Sequence, residues 1–352
     1  MESIVYRTAW LTGLLLIAVS GEVFSADFNL RLHHFLPEAS KIQQGFLEPW
    51  AQKIEEDSDG RIAISIHGGM SLGGAPSDLV SQVEDGTVDM VWTVAGYTPG
   101  KFPRTEVFEL PTVHFRSAYA SNRAIYANFE LIAQDYTTVK PLLVHVNSGN
   151  AIHLQTQRSD ALSPADLQGL SIRSPSRTGS WYIEALGASP VALPAPAIRP
   201  ALVDKSIDGA LLPFEILPDL NLTTMGLTSS MGKDGSRFGT SSFLLLMNPS
   251  TFNQLPEDLQ QVLNQHTGLE LYKAAGIIWD EMEVPGMQAQ RDRLYTMGLD
   301  ALDPFETIGQ QVVNRWIDEV SKQGIDGQQL VDNARKYVGR YSRIITSVDV
   351  NF

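Results

Sequence analysis

Arg173 closes a short run, Gly169-Leu170-Ser171-Ile172-Arg173, immediately ahead of Ser174-Pro175. Such a run reads as a strand, and the carboxyl edge of strands is where open α/β sheets place ligands. A planar guanidinium there holds a carboxylate through paired N–H···O bonds, each charged bond contributing roughly 1.5–3 kcal/mol net. The residue type alone leaves a solvated surface arginine open as the alternative. His33-His34 is the other conspicuous pair. Neighbouring strand residues point to opposite faces, so the two imidazoles cannot chelate one ion together and no metal is expected. Signatures of catalysis are missing: the chain has no Gly-x-Ser-x-Gly elbow, no His-Glu-x-x-His helix and no phosphate loop. Cysteine is absent, which excludes disulfides, thiolate metal sites and cysteine nucleophiles.

The elements that must position Arg173 alternate between strand and helix. Asn29 to Phe35 is strand-like, and Gln43 to Ser58 carries Phe46, Leu47, Trp50 and Ile54 at helical spacing. Arg61 to His67 alternates as a strand, Ser77 to Asp85 is a helix stopped by Gly86, and Asp89 to Val94 is an apolar strand. The second half repeats the pattern: strand 169–173, helix 178–186, strand 190–193, then a buried strand at Phe243 to Asn248. Continuous apolar strands between helices predict mostly parallel sheets covered on both faces. Pro256 opens a helical stretch expected to run to about Met297 with a kink at Pro285-Gly286, long enough to brace two lobes.

The chain has 352 residues, 43% of them hydrophobic, enough for two cores. Its formal charge of −14 repels nucleic acid and anionic membrane, and no basic footprint offsets it. Residues 1–25 read as a signal peptide, with Arg7 ahead of an apolar stretch from Trp10 to Val19 and cleavage near Ser25 or Ala26. About 10 apolar residues cannot span a bilayer core that needs roughly 20. With no cysteine to carry a lipid, an exported periplasmic protein without membrane insertion is expected.

Larger patterns carry a resemblance. Gly169 to Pro175, Ala185-Leu186-Gly187-Ala188-Ser189-Pro190-Val191, Ala201-Leu202 and Ile207-Asp208-Gly209-Ala210 follow one another at telling spacing. Leu72-Gly73, Gln82, Asp85-Gly86-Thr87-Val88-Asp89, Phe108-Glu109-Leu110-Pro111 and Leu255 to Gln260 extend the match over nearly the entire mature chain. Together they resemble the extracytoplasmic solute receptors of TRAP (tripartite ATP-independent periplasmic) transporters, a dicarboxylate-receptor-like family. The resemblance implies a two-lobed periplasmic-binding-protein fold of class α/β, with mixed, mostly parallel sheets, hinge strands and a long helix spanning both lobes. Expected lobes are 26–150 with 238–278, and 151–237 with 279–352. It further implies a monomeric receptor, not an enzyme and without cofactor, that delivers a small organic acid to TRAP membrane permease subunits. A sensory receptor serving a signalling partner, or an enzyme using His153 and Glu215 on the same scaffold, are the alternatives.

In that family the arginine matching Arg173 holds the substrate carboxylate. Many relatives carry a second arginine where this chain has His153, which weighs against two-point clamping of a dianion. Leu212 stands where relatives have a polar asparagine, so the pocket is expected to favour an apolar, aromatic or branched monocarboxylate, with room for a hydroxyl or keto group. Phe214 is a candidate wall, with ordinary core packing the other reading. Glu215 is expected to face solvent ahead of pairing with His153 or meeting a ligand hydroxyl. From the first lobe, His34, Phe35, Trp92 and Tyr97 are expected at the cleft. Nothing in the sequence fixes where Arg104 and Arg177 point.

Overall fold

A computed structural model describes residues 26–114, 116–156 and 162–348, with side chains to residue 343. Residues 1–25, expected to be a signal peptide, lie outside these residues. Eleven strands appear among the described residues: β1 (Phe28–His34), β2 (Ile62–His67), β3 (Met90–Val94), β4 (Lys140–Val146), β5 (Ala151–Leu154), β6 (Ser171–Ser174), β7 (Ser189–Ala192), β8 (Gly209–Leu212), β9 (Thr228–Gly232), β10 (Ser242–Met247) and β11 (Leu294–Met297). They form two sheets, β2-β1-β3-β10-β4 and β11-β9-β5-β8-β6-β7. In the first sheet β1, β2 and β3 run parallel while β10 enters antiparallel between β3 and β4, with Leu245 opposite Trp92. In the second, β6 runs parallel to β7 and β8, and Arg173 lies opposite Val191 and Ala210.

Helices cover the faces: α1 (Glu48–Asp57), α2 (Leu79–Glu84), α3 (Ala118–Ala127), α4 (Phe129–Ile132), α5 (Arg177–Ala185), α6 (Ile198–Val203), α7 (Pro249–Gln254), α8 (Glu257–Gln265), α9 (Leu269–Gln290), α10 (Leu299–Ser321) and α11 (Gly327–Val348). Their cover explains why β3, β8 and β10 are buried at every position and read as continuous apolar runs instead of alternating ones. The chain passes from one sheet to the other between β4 and β5, returns before β10, and leaves again along α9.

The long helix expected from Pro256 to Met297 is divided. α8 ends at His266, whose backbone N–H bonds back into the helix, and Gly268 restarts the chain in extended geometry ahead of α9. After Gln290 a short 3-10 turn leads into β11, which pairs in parallel with β9, so sheet pairing overrides helical pattern there. α9 still links the two halves. Asp280 accepts hydrogen bonds from Ser117 and the backbone of Ala118, whereas Glu283, one turn on, pairs with Arg237 at 2.9 Å. Gly286 sits so near the Phe214 carbonyl that a Cβ there would lie 2.0 Å from its oxygen, a contact only glycine permits.

Candidate functional site

β6 is buried from Ile172 onward, and Ser174-Pro175 ends it because proline cannot continue the ladder. Ser176 then caps α5, its hydroxyl accepting from the Gly179 amide. Arg173 is thereby held at the carboxyl edge of the second sheet, only 2% exposed. Its Nε donates to the Leu193 carbonyl at 2.9 Å and its Nη1 to the Leu211 carbonyl at 3.1 Å, so segments flanking β6 on both sides fix the guanidinium plane. Of five N–H donors, these bonds use two. No salt bridge reaches Arg173 among the described residues. Burial lowers its pKa to about 10, which still leaves it a cation at neutral pH. An unpaired buried cation is costly, and an anion beside it removes much of that cost.

Tyr97 reaches the same point from the first sheet, following β3. Its hydroxyl accepts from the Ala195 amide at 2.9 Å, which leaves the phenolic proton free to donate beside the guanidinium. The two groups border a narrow cavity of about 30 Å³ between the sheets, room for about one water as it stands. Phe35, Trp92 and Phe243 form one wall as a stack, with centroids 5.3 Å apart at 12° and 5.0 Å apart at 8°. Leu212, Ile216 and Ile42 supply aliphatic surface, and Asn147, Ser241 and Glu215 supply the remaining polar groups.

Of the residues singled out from sequence, Arg173, Phe35, Trp92, Tyr97, Leu212 and Glu215 border this cavity. His34, His153 and Phe214 do not. His153 is fully buried, its Nδ1 accepting from the Ser229 hydroxyl at 2.8 Å and its Nε2 donating to the Leu212 carbonyl at 3.0 Å. Both ring nitrogens are therefore used within the second sheet, and burial holds its pKa near 4, so it adds no charge at neutral pH. His34 is likewise consumed: it donates to Gln43 at 2.8 Å and accepts from the Leu36 amide. Phe214 turns its ring onto His153, edge to face at 5.1 Å. Glu215 does not face solvent, being 5% exposed, and burial followed by the nearby Glu283 raises its pKa well above the usual carboxyl value.

Asn147, Ser241 and Phe243 escaped the sequence reading. Phe243 lies within a run that reads as pure core. Asn147 was the more legible of the three, since Asn147-Ser148-Gly149-Asn150 interrupts two apolar strands where the chain crosses between the sheets.

The sheets also meet beside the cavity. Arg177 grips Glu106 through two bonds of 2.7 and 2.6 Å, and the Thr178 hydroxyl donates to Glu109 at 3.2 Å. Arg104 instead stays within the first half, paired with Asp135 at 3.4 Å. Gly96 meets Pro175 and Ser176 so closely that a Cβ would lie 2.3 Å from the Pro175 carbonyl oxygen.

Behind the aromatic wall, His145 stacks on Phe243 at 5.1 Å and its Nε2 accepts from the Trp92 indole. Burial lowers its pKa from 6.5 to about 3. A base depressed in the fold leaves stability unchanged above the unfolded value and withdraws it as pH falls from 6.5 toward 3. A His145→Phe protein, whatever its constant offset, should gain about 2 kcal/mol on the wild type between pH 7.5 and 5. Urea unfolding at both pH values measures this, and a pH-independent difference would contradict it.

Comparison with known proteins places this arrangement. Residues 32–273 match the DctP family, bacterial extracellular solute-binding protein family 7. A marine metagenome TRAP solute-binding protein from an unidentified microbe, specific for aromatic acid ligands and crystallised with metahydroxyphenylacetate, is 35% identical. That similarity covers 89% of this chain and 99% of the other, with a TM-score of 0.85. A TRAP solute-binding protein from Rhodoferax ferrireducens T118, with copurified benzoate, is 31% identical over 90% of this chain and 99% of its own, also at TM-score 0.85. A curated relative, the outer membrane transporter protein TsaT of Comamonas testosteroni, is 20% identical over 333 residues, 93% of this chain and 96% of that protein. The chain belongs to bacterial extracellular solute-binding protein family 7 and is a solute-binding protein of the TRAP transporter type.

Proposed function

We propose that this protein captures a small aromatic monocarboxylate between its two lobes and presents it to TRAP permease subunits in the membrane. The observation that carries this reading is a buried cation without a counter-ion among the described residues, Arg173, facing a cavity whose other walls are largely apolar and include three stacked aromatic rings. In the proposed complex the carboxylate accepts from the guanidinium and from the Tyr97 hydroxyl, while the ring lies against Phe35, Trp92 and Phe243. Two similar solute-binding proteins, described above, hold aromatic acids, which supports the assignment. Hydroxyl-rich sugar acids would leave many donors unpaired against Leu212, Ile216 and Ile42.

Capture is coupled to closure in this account. The closing bodies are 26–150 with 238–278, and 151–237 with 279–352, after removal of a leader cut near Ser25 or Ala26. Tyr97 comes from one body and Arg173 from the other, so a ligand touching both binds the closed form better and shifts the population toward it. Glu106–Arg177 and Glu109–Thr178 hold the same form.

A thermal-shift series with the mature protein tests the substrate class. Benzoate and substituted benzoates at about 100 times Kd should stabilise by roughly 2.7 kcal/mol, read as a rise in Tm, and calorimetry should give one site. Stabilisation by neutral sugars or amines but by no acid would refute the proposal.

A further inference from the structure

The cavity lining holds polar groups besides Arg173 and Tyr97. Asn147 and Glu215 both line the cavity, and Glu215 Oε2 and Asn147 Nδ2 are buried without a hydrogen-bond partner among the described residues. Asn147 uses its other amide atom, Oδ1, to accept from Gly149 at 2.9 Å, so the flip is set and Nδ2 is the free donor. The two residues share surroundings: Ser148, next to Asn147, donates to Asp280, and Asp280 is one of the charges acting on Glu215 together with Glu283 and Arg237. Tyr97, in contrast, is the neighbour that interacts with Arg173. Arg173 and Glu215 thus stand in separate electrostatic settings within one cavity.

Buried polar atoms without partners cost about 1–3 kcal/mol each and call for an explanation. A hydroxyl answers both at once, because it is a donor and an acceptor. A second carboxylate would not, since Glu283 and Asp280 lie on that side. We infer that Asn147 and Glu215 read a ring hydroxyl on the bound acid, the hydroxyl accepting from Asn147 Nδ2 and donating to the Glu215 carboxyl, which makes a hydroxylated aromatic monocarboxylate the preferred ligand. This rests on the carboxylate-binding function proposed above and adds the group that selects among acids. Burial, followed by the nearby Glu283, raises the Glu215 pKa well above the usual carboxyl value, which disfavours its charged form.

The test compares benzoate with its three monohydroxy isomers by calorimetry, on the full mature chain and on Glu215→Gln, Glu215→Leu and Asn147→Leu. The quantity read is the ratio of the best hydroxybenzoate affinity to the benzoate affinity within each protein, which cancels general losses. The wild type should prefer one hydroxy isomer at least tenfold, because a site built to bond a hydroxyl leaves its own groups unpaired when the hydroxyl is missing. The ratio should fall to about one in Glu215→Leu and in Asn147→Leu, and survive in part in Glu215→Gln, whose amide still accepts and donates. Should Glu215→Leu not fold, Asn147→Leu alone decides. A wild type that binds benzoate as tightly as every hydroxy isomer, or a preference that persists in both leucine variants, overturns the inference and leaves carboxylate capture standing. Failure of the wild type to bind any of the four acids overturns both.

Discussion

An Arg173→Ala protein should show no heat of binding with millimolar benzoate while keeping the circular dichroism spectrum of the wild type. Two charged hydrogen bonds at roughly 1.5–3 kcal/mol each correspond to a loss of about 10²–10⁴ in affinity. The loss belongs at the upper end, because among the described residues no other cation borders the cavity: Arg177 is committed to Glu106, Arg237 to Glu283, and His153 is uncharged. Folding should survive. The carbonyls of Leu193 and Leu211 lose their donors, at about 1–3 kcal/mol each, but the chain is relieved of a buried charge that has no partner. Arg173→Lys separates charge from geometry. It keeps a cation but not the planar fork, and should recover only part of the affinity. Undiminished binding by Arg173→Ala would remove the foundation of the proposed function.

The second large effect is remote from any ligand atom. Gly96 follows β3 in the first lobe, and Pro175 follows β6 in the second. A side chain at position 96 meets the Pro175 carbonyl and Ser176 at distances no real Cβ tolerates, and the Pro175 oxygen is backbone that cannot swing aside. The glycine is not required by its own dihedrals, so Gly96→Val leaves each lobe able to fold and acts as a wedge between them. Affinity for benzoate should fall at least 100-fold, since in the proposed mechanism closure brings Tyr97 to Arg173. Small-angle scattering with saturating benzoate should show the compact form for the wild type and a larger radius of gyration for the variant. Equal affinities would mean that the site binds without closing.

Much of this was legible because backbone and pattern decide it. The positions of β1, β2, β3, β6, β7 and β10 follow from apolar runs and alternation, and Pro256 marks the start of α8. The place of Arg173 at a strand end was legible too, while its proposed partner, a carboxylate, came from the family resemblance. What failed involves partners that sequence spacing does not encode. His153 and His34 have the right type and the right strand, yet Ser229, Leu212, Gln43 and Leu36 from elsewhere in the fold occupy their nitrogens. Glu215 reads as a surface carboxylate by composition, and only the approach of α9, with Glu283 paired to Arg237, explains how it stays buried. β11 was mistaken for helix because its pairing strand, β9, lies more than sixty residues away. Phe243 was hidden inside a core strand, and its role emerges only when β10 sets it into the stack with Trp92.

The central claim is that a carboxylate sits on Arg173 between the lobes, and a crystal structure of the mature protein with bound benzoate tests it most directly. The account predicts both carboxylate oxygens within about 3 Å of donors on Arg173 and Tyr97, with the ring against Phe35, Trp92 and Phe243. Electron density placing the carboxylate away from Arg173, or the ligand outside this cavity, would contradict it.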